Sequence, residues 1–160
     1  MKLVVVDVQG FCLPEFIVKE LAIYDGINTI HETCKSTKQL KEIDERTKKQ
    51  ARYLERYHHM LRFNDGFKEQ ISVKEILFKY IKEYAVEILY VKGKCKENYL
   101  RETLGKDCPK IVNLETIEDS VKLSKEIPPC DKHIANNKKC YCSLNNAKCI
   151  YNWLYSRFPQ

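Results

Sequence analysis

The residues best suited to chemistry lie near the end of the chain, in the stretch "CDKHIANNKKCYC" that ends at Cys142. Cys130 and His133 have the C-x-x-H spacing that brings a thiolate and an imidazole to one tetrahedral ion across a tight loop. A cysteine about a dozen residues later can return to the same ion, and either Cys140 or Cys142 could do so. The spacing therefore predicts three ligands of a metal site and leaves the fourth open.

The sequence indicates that the cysteines are thiols or metal ligands and do not form a disulfide framework. The start of the chain, "MKLVVVDVQGF", lacks the long apolar run and the small-residue cleavage site of a signal peptide. We therefore expect an intracellular protein, cytoplasmic or nuclear, whose cysteines are reduced or bind metal. Cys34 and Cys95 are interpreted as small, half-buried hydrophobic residues. Cys149 could join the metal only if the last helix began later than expected, and the alternative for the whole cluster is loop cysteines without an ion.

Length and composition predict one globular domain spanning residues 1–160. Hydrophobic residues make up 44% of the chain and charged residues 31%, which is typical of a folded protein. No apolar run approaches the length needed to cross a bilayer, so we expect no membrane partner. The net charge of +6, from 28 basic and 22 acidic residues, favours acidic partners such as nucleic acid. The alternative is a lysine-rich surface that is merely solvated.

Hydrophobic periodicity predicts five strands and four helices in the order β-β-β-α-α-β-α-β-α. The strands are expected at "KLVVVDV", "FIVKELAIY", "INTIHETC", "VEILYVKG" and "KIVNLE". The helices are expected within 38–60, 72–84 and 95–105, and from about Ser143. This order suits an RNase H-like, three-layer α/β fold with a mixed five-stranded sheet flanked by helices.

Local signals refine three of these elements. Asp25-Gly26 indicates a hairpin between the second and third strands. Ser72 and Glu75 have the capping-box spacing for the start of the second helix. In "RYLERYHHMLRF", basic and aromatic residues mix, and Tyr57 is expected on the apolar, core-facing side of the first helix.

The strand "FIVKELAIY", taken with Cys130, His133 and Cys142, resembles the Glu-Cys-His-Cys zinc set of the Maelstrom domain. That domain is a DnaQ-type member of the RNase H-like exonuclease superfamily, whose active members have a DEDDh residue set. The stretch is also similar to the zinc site in the exonuclease domain of arenavirus nucleoproteins. The resemblance implies one structural zinc ion held by Glu20, Cys130, His133 and Cys142. A buried carboxylate on a strand needs a partner to offset its desolvation, and zinc would supply one.

The resemblance also implies where catalytic groups should stand. Active exonucleases of the superfamily hold two divalent ions with four acidic residues and use a histidine to activate water. The first strand should carry D-x-E, and here Asp7 matches while Gln9 replaces the glutamate. The final histidine and aspartate are replaced by Tyr141 and Asn146, and lysines occupy the stretch after the fourth strand. Only Asp7 matches, so we expect no exonuclease activity and interpret Asp7 as an inherited, hydrogen-bonded carboxylate.

Three functions follow as expectations. The first is a non-catalytic module that binds single-stranded RNA through Lys92, Lys94 and Lys96, with Tyr141 offering a stacking face. For these lysines the alternative is a solvated turn. The second is a nuclease with displaced catalytic groups, since Maelstrom domains without the standard acids are reported to cleave single-stranded RNA. The third is a scaffold for a protein partner, in small-RNA or transposon silencing or of viral or mobile-element origin. His58 and His59 are not expected to be metal or catalytic groups.

Overall fold

The first strand is the centre of a mixed, five-stranded sheet flanked by helices. A computed structural model describes residues 2–12, 15–135 and 137–159. The strands are β1 (Val5–Cys12), β2 (Phe16–Tyr24), β3 (Thr29–Thr33), β4 (Ile88–Val91) and β5 (Lys110–Asn113). The helices are α1 (Glu45–Tyr53), α2 (Gln70–Glu83), α3 (Lys94–Leu104) and α4 (Ser143–Arg157). The predicted order of elements is confirmed.

The sheet order is β3-β2-β1-β4-β5. β1 is antiparallel to β2, and β2 to β3, whereas β4 and β5 run parallel to β1 and to each other. The hairpin between β2 and β3 turns at Asp25 and Gly26, as predicted, and Gly26 has a positive φ of 90°. The β-branched run at the start of β1 is fully buried because helices cover both faces of the sheet.

Alternation along β1 separates two cores. Val4, Val6 and Val8 face the larger core, in which α2 and α3 contribute buried leucines. Val5 faces the smaller core, which Ala147, Ile150 and Leu154 of α4 complete. By the same alternation Asp7 and Gln9 lie on the α4 side. The polar residues of β1 are therefore directed to the layer where the cysteine-rich segment, from Cys130 to Cys142, leads into α4.

A bulge in β1 shifts its register with β2 between Gln9 and Gly10. A Cβ atom at Gly10 would lie 2.0 Å from the carbonyl oxygen of Ile17, so only glycine fits there. On the near side of the bulge, Gln9 stands directly opposite Glu20. The bulge thus fixes which residue of β2 lies beside the end of β1.

Two local expectations were wrong. α2 begins at Gln70 after Glu69, so Ser72 lies inside its first turn instead of capping it. The first helix is shorter than expected and continues as a π-helical turn, Leu54–His58. Because the π turn rotates the chain, Tyr57 is 57% exposed and does not face the core.

Within the described residues, no helix has the length and apolarity to cross a membrane.

Candidate metal centre

Glu20 is the buried carboxylate around which the candidate site is built. It lies in the middle of β2 with no solvent exposure. Its Oε1 accepts a hydrogen bond of 2.7 Å from the backbone N–H of Ser143, the first residue of α4. The positive end of the helix therefore supports the carboxylate. Its second oxygen, Oε2, is directed toward the cysteine-rich segment.

Glu20, His31, Cys130 and Cys142 form a group that could hold one metal ion, since their ligand atoms all lie within 4.8 Å of one another. Cys142 Sγ lies 3.4 Å from Glu20 Oε2, and the sulfurs of Cys130 and Cys142 are 4.0 Å apart. His31 Nε2 is 2.6 Å from the same carboxylate oxygen. Three of the four ligands that the resemblance implied are thus brought together.

His133, the fourth implied ligand, is buried at the edge of this group. Its Nδ1 donates a hydrogen bond of 2.5 Å to the backbone carbonyl of His59. Its Nε2 lies 3.2 Å from Glu20 Oε2, yet has no hydrogen-bond partner among the residues that the structure describes. A buried ring nitrogen without a hydrogen bond is costly unless something else binds it. The carbonyl fixes the ring so that Nε2 is the atom presented to the site.

His31 is the member of the group that the sequence did not indicate. It lies in β3, whose register places it directly opposite Ala22, on the same face of the sheet as Glu20. No spacing motif links it to the cysteines, because its position depends only on the pairing of β3 with β2. The alternating strand that was predicted for this segment was the one available signal.

The electrostatics of the site keep two of its side chains, Glu20 and Cys130, in their anionic forms. Burial alone would raise the pKa of Glu20, but the rings of His133 and His31, whose Nε2 atoms lie 3.2 and 2.6 Å from its Oε2, hold that pKa well below its usual range. The hydrogen bond with Cys142 lowers the pKa of Cys130 to about 4, although burial opposes this. The same contact, together with burial, raises the pKa of Cys142. A carboxylate and a thiolate thus share a buried site, where a divalent cation would balance their charge.

The other two nearby cysteines stand outside the group. Cys140 is buried, and its backbone pairs with that of Glu126. Cys149 is exposed on α4, which begins at Ser143 as predicted. Of the two cysteines that spacing left open, the structure therefore places Cys142 in the group.

The cysteine-rich segment is fastened to the end of the π turn by three successive carbonyl groups. His58 accepts from the N–H of Tyr141 at 2.8 Å, His59 accepts from the His133 ring, and Met60 accepts from the N–H of Ile134 at 2.7 Å. Met60 has a positive φ of 55°, which turns the chain at this point. The metal group and the π turn therefore belong to one hydrogen-bonded unit.

His58 ends the π turn, His59 follows it, and both lie outside the group of potential metal ligands. His59 is buried, its Nδ1 accepts from the N–H of Leu61 at 3.0 Å, and its Nε2 lies 3.1 Å from the carbonyl of Gly10. Burial and the neighbouring His58 lower the pKa of His59 to about 3, so the ring is neutral. The His58 ring packs 4.6 Å from the ring of Tyr141. His59 is thus held by hydrogen bonds, and His58 packs on Tyr141 at the side of the cysteine-rich segment.

A second polar cluster surrounds Asp7. The carboxylate is fully buried, and Lys96 Nζ lies 2.7 Å from its Oδ1. Asn146 donates to its Oδ2 at 3.1 Å and Gln9 at 3.4 Å. Burial raises the pKa of Asp7, opposed mainly by Lys96. Three of the residues aligned with the exonuclease set, Asp7, Gln9 and Asn146, thus converge in space, but the ammonium of Lys96 lies against the remaining carboxylate.

The expected RNA-binding lysines have different surroundings. Lys92 donates to Ser120 Oγ at 3.0 Å and to the carbonyl of Val121, and Lys96 pairs with Asp7. Lys94 is 69% exposed, with its Nζ 3.7 Å from Glu97. Of these three lysines, Lys94 is the one whose side chain is mostly exposed, whereas Lys92 and Lys96 are held by neighbouring groups of the protein.

A cleft opens where β1 and β4 end. It has a volume of about 450 Å³ and is lined by Gln9, Gly10 and Cys12 of β1, Gly93 to Lys96 after β4, and Gln50, Leu54 and His58 of α1 and the π turn. In open α/β sheets, ligands bind at the carboxyl ends of the strands. Two of the residues that line this cleft, Gln9 and Lys96, contact the carboxylate of Asp7.

No protein-family model matches the chain. No curated protein matches it either.

Proposed function

We propose that this chain is a zinc-stabilised, catalytically degenerate RNase H-like domain that binds single-stranded RNA. The proposal has three parts, namely the metal and its ligands, the loss of catalysis, and the surface that contacts RNA. The mixed sheet with three antiparallel strands followed by β-α units supports the RNase H-like part. The position of Glu20 on β2, next to the two cysteines, supports the Maelstrom-like zinc site.

The ion is zinc, held by Glu20, Cys130, His133 and Cys142. Zinc–ligand bonds of 2.0–2.3 Å in a tetrahedron imply separations of about 3.8 Å between two sulfurs, about 3.5 Å between sulfur and oxygen, and about 3.3 Å between nitrogen and oxygen. The corresponding distances are 4.0, 3.4 and 3.2 Å, the last from His133 Nε2 to Glu20 Oε2. Two thiolates with an imidazole are typical of zinc.

His31 supports the site from outside the ligand set. Its Nε2 lies 2.6 Å from Glu20 Oε2, which is a hydrogen-bond distance and too short for two ligands of one tetrahedral ion. Burial lowers the pKa of His31, but the hydrogen bond and the charge of Glu20 outweigh it and raise the pKa. The ring therefore donates to Glu20 and orients it toward zinc.

The zinc site is structural. Four protein ligands leave no open position for substrate or water. A metal bound there would instead hold the cysteine-rich segment against β2 and the π turn. The binding free energy of the ion would then contribute directly to folding.

Two-metal catalysis is lost because Asp7 is neutralised within the protein. A divalent ion needs several carboxylate ligands, and the neighbours of Asp7 are Lys96, Asn146 and Gln9. The ammonium of Lys96 provides the positive charge that an ion would otherwise supply. The cleft is therefore a surface without two-metal catalysis.

The proposal that this chain contacts RNA rests on one observation. Two exposed tyrosines form a pair on a basic helix and its π turn, beside the cleft. Tyr53 and Tyr57 are 60% and 57% exposed, and their rings lie 5.4 Å apart. The basic residues of this helix and π turn that form no ion pair with any residue the structure describes are Arg46, Lys49, Arg52 and Arg56. Exposed aromatic rings stack on bases, and arginines contact phosphates.

The test is a binding titration of the zinc-loaded protein with a fluorescent oligouridine at several salt concentrations. We expect weak, salt-sensitive binding. Tyr53→Ala/Tyr57→Ala should weaken it by about 1–3 kcal/mol for each base that stacked. Arg52→Gln/Arg56→Gln should also reduce the slope of log K against log salt by about 0.7 for each phosphate that the variant no longer binds.

A matched control removes the same charge elsewhere. Lys79→Gln/Lys82→Gln takes two exposed lysines from α2 and should leave the tyrosine-dependent binding in place. Equal binding by wild type and both α1 variants, with zinc content unchanged, would reject the RNA surface and favour the protein scaffold. A competing oligodeoxyuridine measures the preference for RNA over DNA.

A further inference from the structure

Cys12 and Cys95 form a close thiol pair that the metal centre does not use. Their Sγ atoms are 2.6 Å apart, although the residues are 83 positions apart in the chain. Cys12 is the last residue of β1, and Cys95 is the second residue of α3. A disulfide bond is about 2.05 Å long. The sulfur atoms of Cys130 and Cys142, at 4.0 Å, are much farther from that length than those of Cys12 and Cys95.

Both side chains of this pair are accessible. Cys12 and Cys95 are exposed and line the cleft, whereas Cys34, Cys140 and Cys142 are buried. The interpretation of Cys95 as a half-buried hydrophobic residue was therefore wrong. Cys95 lies in the first turn of α3, where the cleft opens. An oxidant of low molecular weight can thus reach the pair.

We infer that Cys12 and Cys95 are a reversible oxidation site that forms a disulfide across the mouth of the cleft. The bond would tie the end of β1 to the beginning of α3, next to Gly93 and Lys94. The oxidant we name is a low-molecular-weight disulfide, glutathione disulfide. The inference depends on neither zinc nor RNA.

The reaction balances in two exchanges. One cysteine thiolate attacks a sulfur of glutathione disulfide, which forms a mixed disulfide and releases one glutathione thiolate. The second cysteine, after losing its proton, attacks the protein sulfur of the mixed disulfide and releases the second glutathione. Two protein thiols are oxidised, one glutathione disulfide is reduced, and the two protons go to the two glutathione thiols.

The pair also predicts how the rate depends on pH. Partial burial of the sulfur, together with the contact to Cys12, raises the pKa of Cys95 to about 11. Since the thiolate is the attacking species, exchange should be faster in mildly alkaline buffer. The equilibrium should still favour ring closure, because the second sulfur is already in place.

The experiment equilibrates the full, zinc-loaded chain with glutathione buffers of increasing oxidised fraction and measures the intact mass. We expect a species lighter by two hydrogen atoms, with a peptide map joining Cys12 to Cys95 and reversal by dithiothreitol. Its melting temperature should rise by several degrees, because the bond closes a long loop. Zinc content should not change, which separates this reaction from damage to the metal centre.

Three single variants decide the outcome. Cys12→Ser and Cys95→Ser should abolish the lighter species and leave a mixed disulfide with glutathione on the remaining cysteine. Cys149→Ser removes an exposed cysteine of α4 and should behave like wild type. A wild-type protein that only accumulates mixed disulfides, or forms the lighter species in Cys95→Ser, would overturn the inference.

Discussion

The ring of His133 donates a hydrogen bond to the backbone carbonyl of His59, 74 residues earlier in the chain. This contact joins the candidate metal centre to the π turn that forms one wall of the cleft. The side chain of His59 in turn contacts the bulge of β1 at Gly10. Binding of an ion at His133 Nε2 should therefore order the cleft wall as well as the cysteine-rich segment.

We predict one zinc ion per chain, measured by elemental analysis of the purified protein. Cys130→Ser should lose the ion, cost several kcal/mol of unfolding free energy, and lower the melting temperature by about 10 °C or more. Cys149→Ser is the matched control, because that cysteine lies on the exposed face of α4. Wild-type protein that contains no zinc, even when refolded with it, would exclude the site.

Substitutions of His133 and of His31 should differ in their effect on metal binding. His133→Ala removes a ligand and should abolish stoichiometric zinc. His31→Ala removes only the hydrogen bond to Glu20 and should keep the ion with affinity weakened about 10- to 100-fold. Competition with a chelating dye measures both. If His31→Ala loses the ion while His133→Ala keeps it, the ligand assignment must be exchanged.

The pairing of Asp7 with Lys96 should stabilise the fold. Lys96→Met leaves a buried carboxylate without its cation and should reduce the unfolding free energy by about 2 kcal/mol or more. Asp7→Asn/Lys96→Met removes both charges and should recover part of that loss. Urea denaturation of the single and double variants measures the coupling. Additive losses would show that the pair contributes nothing as a pair.

Incubation with Mg²⁺ or Mn²⁺ should release no 3′ nucleotides from single-stranded RNA. Asp7 is the one matched catalytic carboxylate, and its oxygens are bound by Lys96, Asn146 and Gln9. Product analysis with and without EDTA checks this. Metal-dependent release that disappears in Asp7→Asn would mean that the cleft is an active nuclease site.

Asp25 should give stability that is lost in acid. Burial would raise the pKa of Asp25, but hydrogen bonds from Lys2, Tyr80 and Asn28 hold it well below the usual 3.8. Because the folded pKa lies below the unfolded one, the stabilisation is complete above the unfolded pKa and falls as pH drops below it. The difference in unfolding free energy between wild type and Asp25→Asn should therefore be constant from pH 7 to about pH 5 and shrink below about pH 4. A difference that stays constant to pH 3 would contradict it.

Local sequence patterns were sufficient to predict the order of the helices and strands and part of the candidate metal centre. The order of strands and helices follows from periodicity, which depends on near neighbours in the chain. Cys130 and His133 are three residues apart, so one loop brings both to the same point. The sequence could not choose between Cys140 and Cys142, because that choice depends on where the segment meets β2.

Contacts between distant segments were decided only by tertiary structure. The register of β3 on β2 places His31 beside Glu20, and the approach of α3 to β1 brings Lys96 to Asp7 and Cys95 to Cys12. A one-residue change in the register of β3 would turn His31 to the opposite face of the sheet. No local propensity specifies that register, nor where α3 packs against β1. Residue types and spacing thus determined what chemistry this chain can support. Long-range packing determined which of those residues meet.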